Sequence, residues 1–282
     1  MDVSSDLLKM EVLVMEKLMS VLESVSVINK DNGSVFTNTE RLDAIASLLS
    51  GSAYKKQDAF GLFHLYAKKP VDEIQGPVLI ISSHVDCETN ITRCFVRMED
   101  QDTLLGTFDN AITNASAVYL MLAGNLPDNV LFAFTGDEEE DGRGARDLIR
   151  FIRRNRLNVR NIFVLDVTEE GWAVGADFTV ENDFWDDDFG KKISGLAEQT
   201  GYKWKFVPED PDDIPSYIPE NRVIHMEAYE DESWEYDEED LPCFSFCLPT
   251  RGEMHSNRGI LARVISFRRY TEVLELMLQR LS

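Results

Sequence analysis

The chain is expected to fold as a three-layer α/β/α sandwich around a mostly parallel, mixed central sheet. Three observations predict this. Apolar runs of strand character alternate with segments of helical period along most of the 282 residues. Two of those runs, 77–83 and 130–135, are continuously apolar, as strands buried on both faces are. Residues able to bind metal recur at or just beyond the ends of such runs, where open α/β sheets gather their ligands.

Asp6 to Val27 reads as an amphipathic helix, with Leu7, Leu8, Val12, Met15, Met19 and Leu22 near helical spacing. A second helix is expected from Thr39 to Leu49, capped by Thr37 or Thr39, with Glu40 and Arg41 in its first turns. The period then changes. Phe60 to Ala67 alternates as a strand, Pro77 to Ser83 is a buried strand, and Cys94 to Met98 is a short strand leading to a turn at Gly106. Ala111 to Leu122 follows as a helix of small and apolar residues, and Val130 to Thr135 as a buried strand. Beyond these, Arg143 to Asn155 is helical, Asn161 to Leu165 and Trp172 to Val180 are strands, and Phe189 to Thr200 is helical. Trp204 to Val207 and Pro242 to Leu248 read as strands, and Leu261 to Leu281 as the last helix. The pattern breaks between Pro208 and Asp240, where four prolines precede the acidic run Glu227 to Asp240. That composition describes a solvated loop inserted in a single domain spanning 1–282.

Composition narrows the function. At 44% apolar the chain can bury a large core. A net charge of −23 opposes nucleic acid or an anionic membrane as partner, because both reward a positive surface. The one basic cluster, Arg143 to Arg160, falls on a helix and the loop after it and reads as a solvated face. No apolar run approaches the roughly 18 residues that suggest a membrane span. Acidic residues interrupt the N-terminus where a signal peptide would be apolar, so a cytoplasmic location is expected. Of the four cysteines, Cys243 and Cys247 would lie about 13 Å apart along a strand rising roughly 3.3 Å per residue. A disulfide needs Cα atoms within about 7 Å, so both are expected to be free.

The chemistry lies in five short stretches holding, in order, His84, Asp109, Glu139, Asp166 and His255. Two divalent ions held close together need a carboxylate that bridges them and one or two further His, Asp or Glu ligands each. Asp109 suits the bridge, with His84 and Asp166 on one ion and Glu139 and His255 on the other. Asp86, two residues after His84, suits an acceptor for the imidazole proton, leaving the other nitrogen for a metal. Glu138, beside Glu139, is placed to take a proton from a water between the ions. Each stretch alone is ordinary: a His-x-Asp is commonly a satisfied polar pair, and an acidic triplet is usually solvated surface. Their order and their shared position beside predicted strands argue for a metal site.

These stretches also resemble the co-catalytic di-zinc exopeptidases of the leucyl-aminopeptidase and glutamyl-aminopeptidase type. In that family the order runs His-x-Asp, Asp-Asn with a small-residue helix, Glu-Glu before a Gly-rich helix start, then Asp, then His. The resemblance spans 77–255 and continues into the last helix. It is most specific in Gly106 to Ala117, Thr135 to Ala145 and Val164 to Thr168. Counting back from Arg143-Gly144-Ala145, it implies Glu138 as general base and Glu139 as ligand. It also implies a bridging Asp109, terminal ligands at His84, Asp166 and His255, and zinc as the usual metal, with cobalt or manganese as substitutes. The glutamyl-aminopeptidase branch carries an extra domain between the His-x-Asp and bridging-Asp motifs, whereas only Cys87 to Phe108 fills that interval here. The carboxypeptidase and deacylase branch usually has Asp-Lys where this chain has Asp109-Asn110, and nothing here matches its inserted dimerisation domain.

The expected activity is therefore metal-dependent removal of N-terminal residues from peptides. An amidohydrolase acting on N-acyl amino acids would share every ligand, and a non-catalytic binding protein on the same scaffold is the third reading. The acidic run Glu227 to Asp240, tethered between the fourth and fifth ligands, is expected to favour substrates with neutral or basic side chains. His64 and His225 read as packing or surface residues.

Overall fold

The computed structural model describes residues 3–29, 36–58, 62–182, 186–229 and 231–282. Helices α1 (Val3–Val25) and α2 (Thr39–Leu48) come first, followed by strands β1 (Lys55–Asp58), β2 (Phe63–Ala67) and β3 (Val78–His84). Next are β4 (Val96–Met98), β5 (Thr103–Gly106), α3 (Ala111–Ala123), β6 (Val130–Thr135), α4 (Arg143–Asn155) and β7 (Val159–Thr168). The remaining elements are β8 (Phe178–Glu181), α5 (Asp187–Gln199), β9 (Trp204–Val207), α6 (Glu232–Asp237), β10 (Cys243–Gly252), β11 (Ile260–Arg263) and α7 (Val264–Leu281).

One mixed sheet runs in the order β1-β2-β6-β3-β7-β10-β11-β5-β4, with β8 also paired to β10 and β9 to β8. Its centre, β6-β3-β7-β10, is parallel. The flanking β2 and β11 are antiparallel to it. The continuous apolar run of β3 is explained by helices on both faces: Leu79 and Ile81 join one core cluster, while Val78 and Ile80 join another. The first cluster packs α1, α2, α3, α5 and α7, and the second packs α4 and α6. The architecture is the expected three-layer sandwich.

Because the central strands are parallel, their C-terminal ends open on one side of the sheet. His84 at the end of β3 is in register with Thr135 at the end of β6, and Asp166 of β7 with Cys247 of β10. The loops carrying the remaining candidate ligands leave from that same edge.

Several expectations change in detail. The cap of α2 is Asn38, whose side chain accepts from the Arg41 N–H while its Nδ2 donates to Val85 O at 2.7 Å. The expected start of a strand at Phe60 lies outside the described residues, as do the side chains of Leu7 and Leu8. Residues 172–175 form a turn, not the start of a strand. Gly171 and Gly175 adopt φ of 75° and 70°, and Arg263 stacks 3.8 Å from the Trp172 ring centre. Residues 260–263, read partly as helix, form β11 because Ile260 to Arg263 pair with β5. A run as short as Ile260-Leu261-Ala262 does not distinguish the two periods by itself. The short strands β1 and β5 went unrecognised.

The largest correction falls in the stretch 208–240, expected as a solvated loop. Its acidic part contains α6, which begins at an Asp231 cap and packs onto the sheet. Glu232 and Tyr236 are buried, and both reach Ser82 Oγ of β3 at 2.7 Å. Helical period places residues 232, 233 and 236 on one inward face, and the exposed acids occupy the other. All four cysteines are free, including Cys243 and Cys247. Among the described residues, no helix is long and apolar enough to cross a membrane.

Candidate metal centre

His84 is 2% exposed and its two ring nitrogens face different partners. Nδ1 lies 3.3 Å from Asp86 Oδ1, while Nε2 lies 3.1 Å from Asp109 Oδ1, 3.6 Å from Asp166 Oδ1 and 3.9 Å from Glu138 Oε2. Asp86 is fully buried, and its Oδ2 accepts the Glu139 N–H at 3.1 Å. One carboxylate thus touches the first histidine and fixes the loop that carries the glutamates.

Asp109 stands just before Asn110, the N-cap of α3, and is joined to it by a cis peptide bond. Asn110 Nδ2 donates to Leu165 O at 2.5 Å, and Asn114 Nδ2 donates to His84 O at 2.7 Å. These amides tie the start of α3 to the ends of β7 and β3. Its small residues Ala111, Ala115 and Ala117 are fully buried. The Asp109 carboxylate then presents Oδ1 to His84 and Oδ2 to His255 Nε2, the latter at 3.2 Å. His255 Nε2 also lies 3.2 Å from Glu139 Oε2.

The loop from β6 to α4 is held by its own charges. Asp137, at φ 69°, receives two hydrogen bonds from Arg143, at 2.5 and 2.9 Å. Gly144 must be glycine, since a Cβ there would stand 2.3 Å from Gly136 O. That close approach turns Glu138 and Glu139 toward the sheet edge.

All seven residues singled out from the sequence therefore meet at one edge. Oxygen and nitrogen atoms of His84, Asp109 and Asp166 lie within 4.8 Å of one another, as do those of His84, Glu138 and Glu139. A third such group joins Glu139 and His255 to Glu88, which the sequence reading passed over. The signal was present in the alternation of 84, 86 and 88 beyond β3. His64 sits half-buried on β2, where burial lowers its pKa, and His225 is exposed and pairs with Glu220 at 2.8 Å. Neither joins the cluster.

Asp109, Glu138, Glu139, Asp166 and His255 line a cleft of about 690 Å³ in which twelve side chains are carboxylic and none is Lys or Arg. Burial pushes Glu138 and Glu139 well above the usual carboxylate range, and it raises Asp166 to about 6. Burial also opposes ionisation of Asp109, but hydrogen bonds from His255 and His84 hold it below its ordinary value. Glu139 Oε1 is buried without a hydrogen-bond partner. An unpaired buried charge is costly, so this arrangement calls for a cation from outside the chain. A donor set of two imidazoles and several carboxylates, with one carboxylate facing both imidazoles, fits a pair of divalent metal ions.

No family model matches the chain. No curated protein matches it either. Its fold is nevertheless that of known peptidases. A TET aminopeptidase from a marine sediment Thaumarchaeota archaeon superposes with a TM-score of 0.71 at 10% identity, covering 95% of this chain and 98% of that one. An aminopeptidase from the archaeon Desulfurococcus kamchatkensis gives 0.70 at 10% identity over 95% and 96% of the two chains. The TET1 peptidase of Pyrococcus horikoshii gives 0.65 at 11% identity over 95% and 99%, and that protein assembles into a tetrahedron or a large octahedral shell.

Proposed function

We propose that this protein is a metal-dependent aminopeptidase that removes N-terminal residues from peptides. The observation that carries the reading is Asp109, whose two oxygens face His84 and His255, histidines far apart in the chain, beside a cleft lined by no Lys or Arg. His84, Asp109 and Asp166 would hold one divalent ion, and Asp109, Glu139 and His255 the other, zinc being the best match to the donors. When bound, such a pair polarises the scissile carbonyl and makes water a nucleophile near neutral pH.

The chain's own residues supply the rest. Asp86, with Oδ1 3.3 Å from His84 Nδ1, is placed to draw the ring proton to that nitrogen and leave Nε2 free toward Asp109 and Asp166. Glu138 is partly exposed to the cleft and carries a raised pKa, which suits a group that takes a proton from water and returns it to the leaving amine. Glu138 Oε2 is within 3.9 Å of His84 Nε2, so distance alone does not separate its role from that of Glu139. The resemblance to the di-zinc exopeptidases, counted back from Arg143-Gly144-Ala145, supports Glu138 as base.

Metal analysis alongside hydrolysis tests the reading. Purified protein should bind close to two equivalents of zinc and cleave aminoacyl substrates with a free α-amine. Glu138→Gln should retain metal and lose turnover, whereas Glu139→Gln should lose metal. Cleavage restricted to N-acyl amino acids would replace the aminopeptidase reading with a deacylase, and equal metal loss in both variants would reverse the roles within the pair.

A further inference from the structure

Beside the metal-facing residues, the cleft has a second wall that the proposed chemistry does not use. Glu181 of β8 and Glu232 of α6 are 3% and 2% exposed, and Asp231 caps α6 between them. Each has only neutral donors. Thr179 Oγ1 reaches Glu181 at 2.5 Å, the Ser233 N–H reaches Asp231 at 2.8 Å, and Ser82 Oγ reaches Glu232 Oε2 at 2.7 Å. Glu232 Oε1 is buried and takes up no hydrogen bond. No Lys or Arg lines this cleft, although Asp141 and Glu235, where the cleft meets α4, pair with Arg146 outside it.

Burial raises all three carboxyl groups, Glu181 to about 8 and Glu232 to about 7. An incoming cation would let them ionise at neutral pH. That cation is not a metal ion, because none of the three belongs to a group whose ligand atoms converge closely enough to hold one. Carboxylates spread along a wall match a cation with several hydrogen-bond donors on a flexible stem. Tyr229 and Trp234 on the same cleft offer flat apolar surface for that stem. The volume of about 690 Å³ is ample for one side chain and the adjoining peptide.

We propose that Glu181, Asp231 and Glu232 form the specificity pocket for a basic first residue, lysine or arginine, of the peptide. The assignment rests on the aminopeptidase reading for its position in the reaction, though the cation pocket can be tested without turnover. It places the preference in buried groups on β8 and at the start of α6, and not in the general charge of the acidic surface.

The test compares lysine with norleucine, which has the same stem without the charge, in calorimetric binding to the zinc-loaded protein near neutral pH. Lysine should bind at least about tenfold more tightly, as expected for a charge meeting buried carboxylates. The ratio should fall close to one in Glu181→Gln and in Asp231→Asn. Asparagine preserves the α6 cap, so the second variant guards against misfolding of the first. Equal binding of the two amino acids, or a ratio untouched by both variants, would overturn the pocket. Lysyl and norleucyl p-nitroanilides then separate the two claims. Equal binding with hydrolysis of both anilides leaves an aminopeptidase without this specificity. A charge-dependent lysine site with neither anilide cleaved leaves the pocket standing and removes the peptidase reading.

Discussion

The outer face of α4 and the cleft at the sheet edge carry dense charge of opposite sign, and they differ in how it is answered. On α4, Arg143 pairs with Asp137, Arg146 with Asp141 and Glu235 at 2.9 and 2.8 Å, and Arg150 with Asp147 at 2.5 Å. Arg153 pairs with Glu239. The acidic run after Pro219 thus answers the arginine helix in part, through Glu235 and Glu239. In the cleft, Asp141 and Glu235 share Arg146 with that face, whereas Asp109 and Glu139 meet imidazoles and Glu181, Asp231 and Glu232 meet hydroxyls and a backbone N–H group. Charge matched within the fold serves structure. Charge left unmatched in a buried place marks what the protein binds.

The comparison can be broken at either end. The largest effect is expected at Glu138→Gln, which should lower turnover by about 10²–10⁴-fold with metal content intact, the scale of a lost general base. A smaller loss in the steady-state rate would place proton transfer elsewhere. Next comes Asp86→Asn, which keeps the shape but weakens the acceptor facing His84 Nδ1. Metal affinity measured by competition with a chelator should drop about 10–100-fold. An unchanged affinity would show that Asp86 serves only the Glu139 N–H.

A third test uses pH in the metal-free protein. Glu181 keeps its proton in the folded state up to about 8, against an ordinary value of 4.5. Between those values the folded protein binds more protons than the unfolded chain, so this contribution to stability is present below the lower value and is lost as pH rises through the higher one. Urea titrations should show wild-type stability falling from about pH 5 to about pH 8, and Glu181→Gln should flatten that fall. Parallel pH profiles would mean the carboxyl is solvated. The smallest effect is expected on the matched face, where Arg150→Ala should cost no more than about 1 kcal/mol, as for other exposed ion pairs. A larger shift in the unfolding midpoint would mean that the arginine face contributes more than solvated pairing.

What the amino-acid sequence made legible was local. The buried strands β3 and β6 announced themselves as continuous apolar runs, α3 as a run of small residues, and His84, Asp109, Glu139, Asp166 and His255 by their places beside such runs. These signals need only a window of a few residues, because side-chain period and strand ends are properties of the neighbouring chain. The edge strands β1 and β5 and the turn at 172–175 were obscure because such short segments are decided by what they pair with.

Tertiary structure alone decided the rest of the site. Glu88 joins the second histidine only once the loops after β3 and β10 meet, and the proline-rich and acidic stretch yields α6 only because the sheet offers its inner face a partner. Ser82 and Glu232 are 150 residues apart in the chain yet hydrogen-bond at 2.7 Å in the core. No local period encodes that contact. It exists because parallel strands bring distant loops to one edge, and whether a carboxylate there is surface charge or a buried binding group depends on what the folded chain packs around it.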